Sequence, residues 1–113
     1  MIVLTMTSAM FLAASQASIT APRMAFANCL KKAETSAKAE KVLLEAYPEY
    51  LKAACGTQGE KLRTALVAFD VKNGVPRARA ATDAASDVAD GFSSSESSYK
   101  WVAKADAPAA DAN

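Results

Sequence analysis

The chain has 113 residues, enough for one domain, and its 13 Lys+Arg against 12 Asp+Glu leave a formal net charge of +1. That balance argues against a polybasic nucleic-acid arm or an acidic tail as the dominant feature, and the absence of His removes the commonest general base, pH switch and metal ligand. The hydrophobic fraction is 51%, but alanine makes up roughly half of it, so large core-forming side chains are sparse in a chain near the size limit for a stable core and an added staple is expected.

Residues 2–14, IVLTMTSAMFLAA, form an apolar run of the length of a signal-peptide core, too short to span a bilayer, which needs about 20 residues. Ser15-Gln16-Ala17 fits a small-x-small cleavage pattern, so a signal peptide over 1–17 is expected, with cleavage after Ala14 as the second choice. No Lys or Arg precedes the run; Arg23 is the first. The competing reading is an apolar first helix of a cytosolic bundle, but the run lacks the polar face such a helix needs. Phe26-Ala27-Asn28 before Cys29 does not fit a lipidation signal, and lipidation would leave Cys55 without a partner.

Three helices are expected in the rest of the chain, which is alanine-rich and has no period-2 stretch. The first covers about 22–39, with Phe26, Leu30, Ala33 and Ala37 on one face, Cys29 beside that stripe, and Lys31, Lys32, Glu34 and Lys38 largely opposite. The second covers about 46–73: Pro48 fits its first turn, Leu51, Cys55, Leu62, Leu66 and Phe69 form its stripe, and Asn73-Gly74 ends it. Gly56 and Gly59 inside it either weaken the helix or admit a close neighbour. The third opens at Pro76 and runs to about 105 on a stripe of Ala78, Thr82, Ala85, Val88, Phe92, Tyr99 and Val102. Ser93–Ser98 should fray, with Tyr99 and Trp101 packed beyond it, and residues 106–113 should be a disordered tail.

Cys29 and Cys55 lie symmetrically about Val42, in the link between the first two helices. Residues equidistant from the turn of an antiparallel helical hairpin face each other, so the two cysteines should form a disulfide. An exported location and a disulfide are mutually consistent. A redox-active pair would more usually be Cys-x-x-Cys at a helix N-terminus, and two thiolates without His make a poor zinc site.

Other constellations have bland readings beside them. Asp83, Asp87 and Asp90 share one face of the third helix and could hold a hard cation, but a solvated acidic face answered by Arg79 explains them more simply. Glu45 and Glu49 suit the dipole at the start of the second helix. If helices two and three fold back about Gly74, Lys61 and Arg63 should come near Asp87 and Asp90. The basic end around Lys72, Arg77 and Arg79 is the candidate patch for an anionic partner. The serines from Ser93 to Ser98 have no partner base, no G-x-S-x-G and no phosphate loop.

The segments APRMAFANCLKKA, EYLKAACGTQGEKL and LVAFDVKNGVPRARAATDA behind a leader resemble small uncharacterised, alanine-rich exported helical proteins of Gram-negative bacteria. The resemblance implies a location and a helical architecture and transfers no functional residue. The expected molecule is all-α, a three-helix antiparallel hairpin or bundle with one disulfide between helices 1 and 2, periplasmic or secreted, without cofactor, metal or catalytic residues. Its expected role is that of an interaction or accessory protein with a protein partner or a second copy of itself. The alternative role is peripheral binding of anionic envelope lipid through the basic end; nucleic acid is not an expected partner.

Overall fold

The computed structural model describes the backbone of residues 8–105 and the side chains of residues 18–104. The opening of the expected leader and the expected disordered tail at 106–113 lie outside the described residues. Three helices make up the fold: α1 (Ser8–Glu40), α2 (Tyr47–Lys72) and α3 (Arg77–Ala105). Helix α2 packs closely on both α1 and α3, whereas α1 and α3 meet over a shorter stretch.

The boundaries of α2 and α3 lie within a residue of those expected. Helix α1 differs: it begins at Ser8, not near Pro22, and runs through the expected cleavage point at Ala17 with Pro22 in its interior. Ala9, Ala13, Ala14, Ala17 and Ala21 supply the propensity that carries the helix past a residue lacking an N–H.

Both hairpin turns close with the same backbone device. At the end of α2, Gly74 takes φ +93°, its N–H bonds the Val71 carbonyl at 3.1 Å, and the Val75 N–H reaches back to the Asp70 carbonyl at 2.9 Å. At the end of α1, Lys41 takes φ +57°, its N–H bonds Lys38 O at 3.2 Å, and the Val42 N–H bonds Ala37 O at 2.9 Å. Each is a Schellman motif, in which the left-handed residue turns the chain so that it caps its own last carbonyls. Gly74 adopts that conformation freely; Lys41 adopts it against the clash between its Cβ and the following carbonyl.

The core is built from small residues and a few large ones. Phe26, Ala33 and Ala37 of α1 are buried against Tyr47, Leu51, Cys55, Leu62 and Leu66 of α2, with Ala84, Val88 and Tyr99 of α3. The α1 stripe is the one the spacing predicts, with Leu30 packed at its edge; in α2, Leu51, Cys55, Leu62 and Leu66 enter the core as expected, whereas Phe69 is half-buried and lies outside that cluster, and Tyr47 and Gly59 join the buried face. The α3 stripe enters on a different face: Ala80 and Ala84 are buried, whereas Ala78, Thr82 and Ala85 are exposed. With alanine at 78, 80, 81, 84 and 85, the sequence offers nearly the same apolar content on several faces. The choice is made downstream, where Val88, Ser95 and Tyr99 set the rotation of the helix.

Two glycines let helices approach. A Cβ on Gly59 would lie 3.2 Å from Val88 Cγ1, and one on Gly91 would lie 2.6 Å from Phe26 Cε1. Gly56 faces open space, so it weakens α2 without serving packing. Around these glycines Phe26 and Phe92 meet edge to face, with ring centroids 5.2 Å apart.

Candidate functional site

The cysteines form the disulfide, Cys29–Cys55, with Cα atoms 5.7 Å apart. Cys55 is fully buried and Cys29 half-buried, so the bond sits within the α1–α2 interface. It closes 26 residues of sequence around the first turn, and that position suits a staple.

The basic end divides. Helix α2 presents Arg63, Thr64, Val67, Ala68, Val71 and Lys72 in two adjacent rows, and Arg77 at the start of α3 lies beside them. Together they line an open groove of about 450 Å³ in which the valines supply apolar surface and three cations surround it. Arg63 is partly neutralised: it makes a bidentate contact to Glu60 one turn earlier, down to 2.8 Å. That hydrogen bonding and charge hold the Glu60 carboxyl below its ordinary value and raise Arg63 above its own. Lys72 and Arg77 have no ion-pair partner among the described residues. Arg79, expected in the same patch, is not in the lining; it lies two residues on along α3 and faces Asp83 at 3.8 Å. The patch is therefore Arg63, Lys72 and Arg77.

The expected pairing of Lys61 and Arg63 with Asp87 and Asp90 is not what forms. Gly59, Leu62 and Leu66 take the inward face of α2, which turns Arg63 outward to Glu60. Asp87 is met by Arg23 of α1 at 3.0 Å. Asp83 and Asp87 thus each face an arginine, while Asp90 is exposed, and among the described residues no His/Cys/Asp/Glu group has the geometry to hold a metal ion. Glu45 is exposed in the link, and Glu49 is exposed in the first turn of α2, where the helix dipole favours it.

At the opposite end lies a polar knot that the sequence did not reveal. Tyr47 is 1% exposed and stacks on Tyr99 with centroids 4.0 Å apart. Its hydroxyl lies 2.8 Å from Ser95 Oγ; Ser95 donates to Glu34 at 3.2 Å, so its oxygen accepts from Tyr47. The Tyr99 hydroxyl reaches the carbonyls of Ala37 and Val42 at the end of α1. Burial pushes the Tyr47 phenol above its usual value; the Ser95 contact opposes this and the Glu34 charge adds to it. These contacts join all three helices and hold Ser93–Ser98 helical, against the expected fraying. Trp101, expected to pack, points into solvent.

No protein-family model, curated protein or solved structure matches the chain. No helix among the described residues is long and apolar enough to cross a membrane.

Proposed function

We propose that this chain is an exported, non-enzymatic interaction protein that recognises an acidic segment of a protein partner at the end of the bundle formed by the α2–α3 turn. The observation that carries the reading is the groove: Lys72 and Arg77, without an ion-pair partner among the described residues, and a half-neutralised Arg63 beside half-buried valine surface. Charged groups set partner choice and encounter rate more than affinity, and the valines give a bound segment apolar area to cover. Export is supported by three things. The opening run has the composition of a leader, and a disulfide persists best in an oxidising compartment. Cleavage after Ala17 would also make Pro22 the fifth residue of the chain, next to the first turn of α1, where a missing N–H disrupts less than in the helix interior.

The test is capture from the periplasm by the wild-type chain and by a Lys72→Glu/Arg77→Glu variant, with partners identified by mass spectrometry. A partner carrying an exposed acidic segment, captured by wild type and lost on charge reversal, supports the reading. Identical partners in both samples would overturn it. The valine floor beneath the cations also suits an anionic lipid, with its acyl chain on Val67 and Val71. In that case salt-sensitive cosedimentation with anionic vesicles is lost in the same variant.

A further inference from the structure

Four large apolar side chains are exposed among the described residues, and three of them lie at one end of the molecule: Leu43 (70%), Leu44 (46%) and Trp101 (73%). The leucines occupy the α1–α2 link and the tryptophan the last turns of α3. The two elements are brought together by the Tyr99 hydroxyl on Val42 O and by a small cleft that Val42 shares with Tyr99, Val102 and Ala103. Lys41 in its left-handed conformation turns the chain outward just before the leucines. Residues 38–45 and 99–104 carry four lysines (Lys38, Lys41, Lys100 and Lys104) against two glutamates. Residues 106–113 contain no apolar side chain larger than proline.

We infer that this end is a membrane-contacting tip, in which Leu43, Leu44 and Trp101 enter the headgroup region of an anionic bilayer and the lysines sit at the phosphate level. Exposed leucine and tryptophan clustered at a loop and a helix end, with lysines around them, suit the boundary between water and acyl chains. Tryptophan prefers that layer because its ring is apolar and its N–H needs a wet partner. Lysine stems can lie along apolar surface while their ammonium groups stay hydrated, and Lys104 already lies 5.9 Å over the Trp101 ring. The contact is peripheral: a link and a helix end enter the interface, and no helix spans. The inference is independent of the groove, because Leu43 and Leu44 precede α2 whereas Lys72 ends it.

Trp101 is the one tryptophan of the chain, so its emission reports on the tip directly. The experiment uses the disulfide-bonded protein purified after export, its N-terminus read by mass spectrometry, mixed with vesicles of zwitterionic lipid alone or with added anionic phosphatidylglycerol. The expected result is a blue shift of Trp101 emission and its quenching by brominated acyl chains, strongest on anionic vesicles and weakened by salt. Leu43→Ser/Leu44→Ser should weaken vesicle binding by about tenfold per leucine removed. Lys72→Glu/Arg77→Glu should leave it unchanged. Both leucines are exposed, so circular dichroism of the serine variant should match wild type. Binding without change in Trp101 emission, or binding lost in the Lys72/Arg77 variant and kept in the leucine variant, would overturn the inference. A blue shift that depends on protein concentration without lipid would also overturn it, by assigning the tip to a second copy.

Discussion

The same substitution at two glycines should move stability in opposite directions. Replacing Gly56 by alanine places the new methyl in open space, so only the backbone responds: α2 gains about 1 kcal/mol from the better helix former. At Gly91 that gain is met by a clash. The new Cβ would lie 2.6 Å from Phe26 Cε1 and 3.2 Å from Cζ, whereas carbon atoms rest at about 3.5–4.0 Å. Phe26 cannot swing away freely: it is buried, and Phe92 stands edge-on against it at 5.2 Å. Overpacking of this kind costs about 1–3 kcal/mol, so Gly91→Ala should be destabilised by about 1 kcal/mol net. The two variants then differ by about 2 kcal/mol, and at about 4–8 °C per kcal/mol their thermal midpoints should separate by about 8–16 °C. Thermal unfolding followed by circular dichroism with the disulfide intact measures this. A Phe26→Leu change should cost less in the Gly91→Ala background than in wild type, because the smaller side chain makes room for the methyl. If both alanine variants rose in midpoint by similar amounts, the close approach of α1 and α3 at Gly91 would be wrong.

Three further outcomes follow from the fold. Reducing Cys29–Cys55, which closes a loop of 26 residues, should cost about 3.5 kcal/mol by chain entropy, and an unchanged thermal midpoint in excess reductant would refute the staple. Lys41→Gly should raise stability by about 1 kcal/mol by relieving the left-handed strain, whereas Gly74→Ala should lower it by a similar amount; denaturant midpoints at constant m test both. Tyr47 has a folded pKa above 10.0, so the unfolded chain releases its proton first. Its contribution to stability is therefore complete below pH 10.0 and is lost as the pH rises through the folded value; the alkaline fall in denaturant midpoint should be shallower in Tyr47→Phe.

What the sequence made legible was whatever rested on spacing between unlike residues. Leu51, Cys55, Leu62 and Leu66 stand out from lysine, glutamate and threonine, so their common face is readable, and the register of Cys29 with Cys55 is readable from their equal distance from Val42. The start of α3 was not readable, because alanine on every side gives no contrast to locate a face. Lys41 was missed because lysine carries no preference for the left-handed region; only the hydrogen bonds of Val42 and Lys41 show that it is there. Gly91 was invisible because its role depends on a phenylalanine far away in sequence. Tyr47 sits in the first turn of α2 beside Pro48, where the apolar period has barely begun, and its partners Ser95 and Glu34 read as solvent-facing until three helices bring them together. Of the basic residues singled out in the sequence, Lys72 and Arg77 share a groove with Arg63, whereas Arg79 faces Asp83, because successive residues on a helix point in different directions.

The two proposed contacts make a joint claim that neither makes alone. Helix α2 is 26 residues long, about 39 Å at 1.5 Å per residue, and it separates the leucine-bearing link from the turn that carries Lys72 and Arg77. The tip is held by the Tyr47–Tyr99 stack and the Ser95–Glu34 hydrogen bond, and the shaft by the disulfide and the Phe26–Phe92 layer, so the helices behave as one strut. A strut standing on its apolar end would hold the groove clear of the lipid headgroups and facing a partner. The proposed occupant of the groove is then an acidic protein segment and not lipid, because on such a strut the groove from Arg63 to Lys72 would stand about 24–38 Å above the bilayer, well beyond a Debye length of about 8 Å. On vesicles, Leu43→Ser/Leu44→Ser should release the protein together with any captured partner. Lys72→Glu/Arg77→Glu should release the partner alone. Cosedimentation of both components distinguishes these outcomes, and loss of lipid binding in the groove variant would show that the molecule lies flat on the membrane.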